Sequence, residues 1–315
     1  MELIVSYAVF FFCILLLGSI SGIFSERAGI VNIAINGFMV FGAIMYIMFS
    51  VILTDFIFHK EQTSMLWQIP LTLLSVGASA LFALLFGLAT IKLKSDQTIS
   101  GFAMGLLATG IACILMLFIL DIQKEGQTAT YYGRSELALS SSLGEYQNIV
   151  SFKTFATLII AFASWFALRK TKWGLRFRAI GENPQAADVA GINVNKIKWQ
   201  AVILAGMVAG LAGTFYVQSF QGPFSITKDV EGLGFLALAI MIVSRWRISI
   251  AVVISLLFSI MISVSSFGVS YIKAEKYSEL VKAVPYVITL FVMIFISKSS
   301  SGPAAAGIPY DKSKR

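Results

Sequence analysis

The sequence predicts an all-α, polytopic integral membrane protein of the multi-pass kind, and three observations carry that prediction. Nine apolar runs, most of them near the length of a spanning helix, cover most of the 315 residues. Only 13% of the chain is charged against 57% hydrophobic, with a mean hydropathy of +0.84, whereas a soluble domain carries roughly 25% charged residues. The Lys and Arg residues gather at the ends of the runs. The net charge of +8 therefore reads as membrane topology and not as nucleic-acid recognition. The runs leave no room for a second, soluble domain, so 1–315 reads as one transmembrane domain.

The first run, 3–23, has no basic region before it and reads as a first span rather than a cleaved signal peptide. Runs 37–58, 68–91, 98–120, 150–168 and 199–221 follow as further spans. Run 230–244 is short and opens Glu231-Gly232-Leu233-Gly234, the mark of a broken or tilted segment. Run 248–270 is a full span. Run 281–297 is short again, with Pro285 near its start. Gly101 with Gly105, and Gly206 with Gly210 among Ala205, Ala209, Ala212 and Gly213, are small-residue faces that let helix backbones approach in lipid. Cys13 and Cys113 sit inside apolar runs and read as small buried hydrophobes. His59 is the sole histidine and offers no metal or catalytic partner.

Orientation follows from the cations. Nine spans place the termini on opposite sides. With the C-terminus inside, sixteen of the 24 Lys and Arg fall on the cytoplasmic side and eight outside, which predicts an N-out, C-in chain. That orientation puts a polar loop, 169–198, in the cytoplasm. It puts 121–149, the longest outer loop, on the external side as a solvated connector or a docking surface for an external partner.

Two polar stretches stand out. In the cytoplasmic loop, Asn183 is a candidate N-cap, Pro184 suits the first helical position, Ala186, Ala187 and Ala190 favour helix, and Gly191 supplies a left-handed stop. These residues predict a helix of about two turns between two spans. By composition alone the segment equally suits an ordinary solvated loop. The second stretch, SERAGIVNIAING at 25–37, sets Asn32 and Asn36 among apolar residues. At i and i+4 they would share one face of a helix. Helix packing or a polar cavity lined by unwound backbone would each satisfy them.

Gly174 to Ile192, GLRFRAIGENPQAADVAGI, closely resembles the cytoplasmic coupling loop of permease subunits in ATP-binding-cassette (ABC) importers of the branched-chain amino acid/ribose type. The likeness is to the nucleoside and simple-sugar branch, whose pattern reads GLRxRAxGENPxAAxxAGI. The 25–37 stretch resembles SERxGxxNIxxEG of the same branch, with Asn36 standing where an acidic residue is usual. Glu231 to Trp246 and Gly302 to Tyr310 resemble two further segments, with Ser244 in place of a glycine.

The resemblance implies a permease that carries no catalytic site, cofactor or metal of its own. It implies ATP and Mg bound by a separate cytoplasmic ATPase, a second permease subunit in a heterodimer, and an extracytoplasmic substrate-binding protein. The cargo it implies is small, polar and neutral, a nucleoside or a simple sugar. It assigns coupling to Gly181, Glu182, Asn183, Pro184, Ala186, Ala187, Ala190 and Gly191, and supports Asn32 and Asn36 as lining the substrate path. The sequence has no G-x-x-x-x-G-K-[ST] phosphate loop and no catalytic constellation. An ion-coupled secondary transporter would need ionisable residues buried near the bilayer midplane, and the full-length predicted spans carry none there. The expected location is the cytoplasmic (inner) membrane.

Overall fold

A computed structural model describes residues 2–53, 65–123, 130–131, 149–219, 224–225, 229–272, 283–288, 290–291, 294 and 302–311. Among them ten α-helices run in the order α1 (Glu2–Arg27), α2 (Ile35–Val51), α3 (Gln68–Gly87), α4 (Gln97–Gln123), α5 (Phe152–Lys170), α6 (Lys172–Glu182), α7 (Pro184–Val189), α8 (Val194–Val217), α9 (Leu233–Val243) and α10 (Ile248–Ile272). A two-residue antiparallel pair, β1 (Thr130–Tyr131) with β2 (Phe224–Ser225), ties the loop after α4 to the connection after α8.

Six helices are long and apolar enough to cross a membrane, over Ile4–Arg27, Gln68–Lys92, Gln97–Ile119, Phe152–Lys170, Val194–Val217 and Ile248–Ser266. They fall on six of the nine predicted spans. Two of them reach further than composition suggested. The first continues from residue 23 to Arg27, where the Ser25 hydroxyl bonds back to the carbonyl of Gly22 at 3.0 Å. α8 begins at Val194 instead of 199, because Asn193 caps it by accepting the Lys196 N–H at 3.0 Å.

The other apolar helices are shorter. α2 has 17 residues and α9 only 11, about 16 Å of helix against a hydrocarbon core of about 30 Å. The run 230–244 is thus half a span rather than a crossing. Gly232, in the left-handed region at φ 69°, starts it. Of 281–297, residues 283–288 are helical. His59 and most of loop 121–149 lie outside the described residues.

α1 and α8 form the buried centre with α2, while α4 and α5 turn Leu106, Ile114, Ile159 and Phe162 outward. In lipid, close packing must supply what the hydrophobic effect supplies in water. The predicted small-residue face of α8 does this. A Cβ on Gly206 would overlap Ala83 of α3, and one on Gly213 would overlap the backbone of Met39 on α2. Ser79 then reaches both neighbours, donating to the Gly206 carbonyl at 2.9 Å and the Phe38 carbonyl at 3.2 Å. On the α4 side, a Cβ on Gly101 would crowd Ile33, and a Cβ on Gly37 of α2 would overlap the backbone of Gly105, whereas one on Gly105 itself would meet open space. Cys13 is buried and Cys113 half-buried.

Candidate functional site

The polar loop after α5 is a helical corner. Thr171 ends α5 and caps α6 by accepting the Gly174 N–H at 3.1 Å. The stretch GLRFRAIGE is therefore helix, where composition suggested loop, and it buries Phe177, Ile180 and Gly181. Aromatic packing of Phe177 on Phe24 and Trp173 holds α6 against the end of α1.

α7 forms as its local signals predict. The Asn183 side chain accepts the Ala186 N–H at 2.9 Å and Pro184 occupies the first turn. At the other end Gly191 takes φ 81°. Its N–H bonds the Asp188 carbonyl at 2.9 Å, while the Ile192 N–H bonds the Ala187 carbonyl at 3.0 Å. This pair of hydrogen bonds is the Schellman stop.

The residues assigned to coupling divide between two faces of this corner. Glu182, Asn183, Ala186, Ala190 and Gly191 are exposed, whereas Gly181, Pro184 and Ala187 are buried within the chain. Ala187 is 5% exposed and cannot offer its side chain to a partner as a free contact. The residues that stand out instead are Val189 at 76% exposure and Leu175 at 61%. A cleft of about 360 Å³, lined by Asp188, Gly191, Asn193, Asn195 and Tyr310, flanks the helix.

Behind this corner, sequence-distant segments converge. The Gly181 carbonyl accepts the Ala305 N–H at 2.8 Å, and a Cβ on Gly181 would overlap the Arg27 carbonyl. Glu182 accepts the Ala304 N–H at 3.4 Å. Trp246 donates its indole N–H to Glu26 at 2.6 Å, and its carbonyl accepts from Arg27 at 3.2 Å. Lys94 pairs with Asp311 at 3.1 Å. The 25–37, 174–192, 231–246 and 302–310 stretches therefore share one junction. Spacing alone did not reveal this, although these were the very stretches singled out in the sequence.

From the junction the chain climbs back into the bundle. Residues 28–34 are not helical. The Gln97 side chain accepts the Val31 N–H at 2.7 Å, while Gly37 lies against Gly105, eight residues further along α4. The climb is thus about 12 Å. Asn32 lies in the unwound part and Asn36 in the first turn of α2, so of the two readings left open the unwound segment holds and the shared helical face does not form. Asn32 is fully buried. Its Oδ1 accepts the Ala34 N–H at 3.1 Å, and its Nδ2 has no partner.

Asn36 has a structural partner on each side. It donates to Asp229 at 3.4 Å and accepts the Gly234 N–H at 3.2 Å. Gly234 is in the first turn of α9, and Gly232 has no side chain with which to cap it. Asn36 serves that orphan donor from across the bundle. Among the described residues no three His, Cys, Asp or Glu side chains gather closely enough to hold a metal ion.

A family profile described as branched-chain amino acid transport system/permease component matches residues 4–296. The nucleoside ABC transporter permease protein NupC of Lactococcus lactis subsp. cremoris is 32% identical, covering 100% of this chain and 98% of its own. The guanosine ABC transporter permease protein NupQ of Bacillus subtilis is 31% identical over 96% of this chain and 94% of its own. The Mycoplasma genitalium protein MG121 is 38% identical over 96% and 95%.

Proposed function

This chain belongs to the permease-component family of branched-chain amino acid transport systems, and from that premise we propose that it is one half of an ATP-driven nucleoside importer. It is a transport subunit and not an enzyme. The nucleoside assignment rests on full-length likeness to relatives named for nucleoside and guanosine transport. In this reading the chain lies N-out and C-in in the cytoplasmic membrane, paired with a second, different permease. A separate cytoplasmic ATPase binds ATP and Mg, and an extracytoplasmic binding protein delivers the cargo.

The observation that carries the coupling role is the capped helix α7, with Val189 and Leu175 exposed beside it. An apolar side chain held outward by a rigid, doubly capped turn suits insertion into a groove on a partner. The buried side of the same helix supports transmission. Pro184 and Ala187 are buried on the near side of α7, and Gly181, just before it in α6, lies against the Arg27 carbonyl, so displacement of α7 passed on through α6 would press on the unwound 28–34 segment and, through Asn36, on α9. That sequence of contacts suits an alternating-access cycle in which ATP-driven closure of the ATPases moves both permeases.

The test is Val189→Asp, which places a charge on the exposed face and leaves Ala187 in its seat. Copurification of the ATPase from mild detergent should fall at least about tenfold, the scale of an interface anchor worth 1.4 kcal/mol or more. Full retention of ATPase and transport would remove α7 as the contact. Transport by the reconstituted complex should be competed by purine or pyrimidine nucleosides. Competition by ribose or glucose alone would redirect the cargo assignment to simple sugars.

A further inference from the structure

Where α5, α6 and α10 meet the end of α1 lies a cavity of about 510 Å³ that the coupling role does not use. Arg27, Arg169, Arg178 and Arg247 line it, with Trp165 and Trp246. Arg27 and Arg178 are half-buried, and Arg169 and Arg247 are exposed at its rim. Among the described residues none of the four has a carboxylate within 4 Å. Glu182 attracts Arg27 from further away, while Arg178 and Arg247 oppose it. Arg27 is partly engaged, donating to the Trp246 carbonyl. The Nε of Arg178 is buried and has no hydrogen-bond partner.

Four like charges around one cavity, with a desolvated N–H unmet, form an arrangement that an anion would stabilise. The first turn of α10 opens into the same cavity through Ile248, Ser249 and Ile250; of their amides, that of Ile250 already bonds the Arg247 carbonyl at 3.0 Å. The guanidinium fork fits the oxygens of a phosphate.

We propose that this cavity binds the phosphate of an anionic phospholipid headgroup. The lipid source is favoured over a free anion by what borders the cavity. It sits at the ends of two spanning helices, and their outward faces continue from it as bare apolar surface, with Phe162 and Phe166 on α5 and Val253 and Leu257 on α10 exposed. A headgroup in the cavity leaves its acyl chains along those faces, and Trp165 stands at the boundary. Basic pockets between span ends hold lipid headgroups by this combination of charge and depth. The inference requires only that the chain spans a membrane. It uses neither the cargo nor the ATPase.

The experiment offers the purified permease, in mild detergent, an equimolar mixture of phosphatidylglycerol and phosphatidylcholine and reads retained lipid by native mass spectrometry. Wild type should retain phosphatidylglycerol in preference. Arg169→Gln with Arg247→Gln changes only rim residues, so folding is spared. This pair should lower the preference about 25-fold, since each cation near an anionic surface contributes about a factor of five. Arg178→Gln should lower it as well. Equal retention of both lipids by wild type, or an unchanged preference in the rim variant, overturns the proposal. So does displacement of the lipid by millimolar inorganic phosphate, which would make this a free-anion site. Shielding of a cysteine at Ser249 by the partner ATPase, with no lipid preference, would instead mark a protein contact and also overturn it. None of these results bears on α7, so the coupling role stands or falls on Val189→Asp separately.

Discussion

Asn36 and Asn32 look alike in the sequence and differ in what holds them. Asn36 satisfies the Gly234 N–H and faces Asp229, so its removal leaves a buried donor unmet at the start of α9. Asn36→Ala should destabilise the bundle by about 1–3 kcal/mol, read as a lower thermal midpoint in detergent together with weaker assembly. The Asn32 side chain has one bond, to its own turn, and an Nδ2 without a partner, while its backbone N–H bonds Glu26. An amide donor buried without a partner is unfavourable, and a neutral hydroxyl-rich cargo or a water accompanying it would meet it. Asn32→Ala should therefore lower transport while assembly and basal ATP hydrolysis persist. If Asn32→Ala loses assembly and Asn36→Ala does not, these roles are exchanged. The residue types announced polar groups deep in the bundle, but Asp229 and Gly234, almost two hundred positions away, could not be read from local spacing. The Asp229 carboxylate lies beside Asn36, the position where the resembling pattern carries an acidic residue.

At the scale of elements, the ends of helices were legible where the signal is local. Asn183, Pro184 and Gly191 each act within three residues, and each does what its chemistry requires. Two things were not legible. A six-residue helix is too short for periodicity to tell its faces apart, so the burial of Ala187 and the exposure of Val189 emerge only in three dimensions. Apolar composition likewise does not say where a helix stops, so α9 reads as a candidate span although it is half of one. The tail carries a prediction at this scale. Residues 302–311 pack between α6, Trp246 and Gly29, and the Ala305 N–H satisfies the Gly181 carbonyl. Truncation after Ser301 would uncover that carbonyl and free α6 from its backing. Transport should fall severalfold while the ATPase still copurifies, because the face bearing Val189 is untouched. Loss of ATPase binding in the truncated chain would show that the tail is itself part of the contact.

For the whole molecule, the decisive property is which way round it lies, and charge distribution argues for it. The junction concentrates Arg27, Arg169, Arg176, Arg178, Arg245 and Arg247 at one end of the bundle. At the other end Lys153 is buried beside Phe10, with its ammonium 5.3 Å from the ring centroid. Cations that remain on the cytoplasmic side set the orientation of a multi-pass chain, and the arginine-rich end is therefore predicted to face the cytoplasm. The coupling reading depends on that outcome, since an ATPase cannot reach α7 from outside. With Cys13 and Cys113 first replaced by Ser, single cysteines at Ala190 and at Ser135 provide the comparison. Ala190 is exposed, unlike the buried Ala187, and so reports accessibility rather than burial. A membrane-impermeant thiol reagent added to intact cells should label Ser135→Cys strongly and Ala190→Cys only after the cells are opened. Strong labelling of Ala190→Cys in intact cells would reverse the chain in the membrane, and with it the placement of α7 against an ATPase. The lipid pocket would survive that reversal with its headgroup drawn from the opposite leaflet, because its geometry depends on depth in the membrane and not on direction.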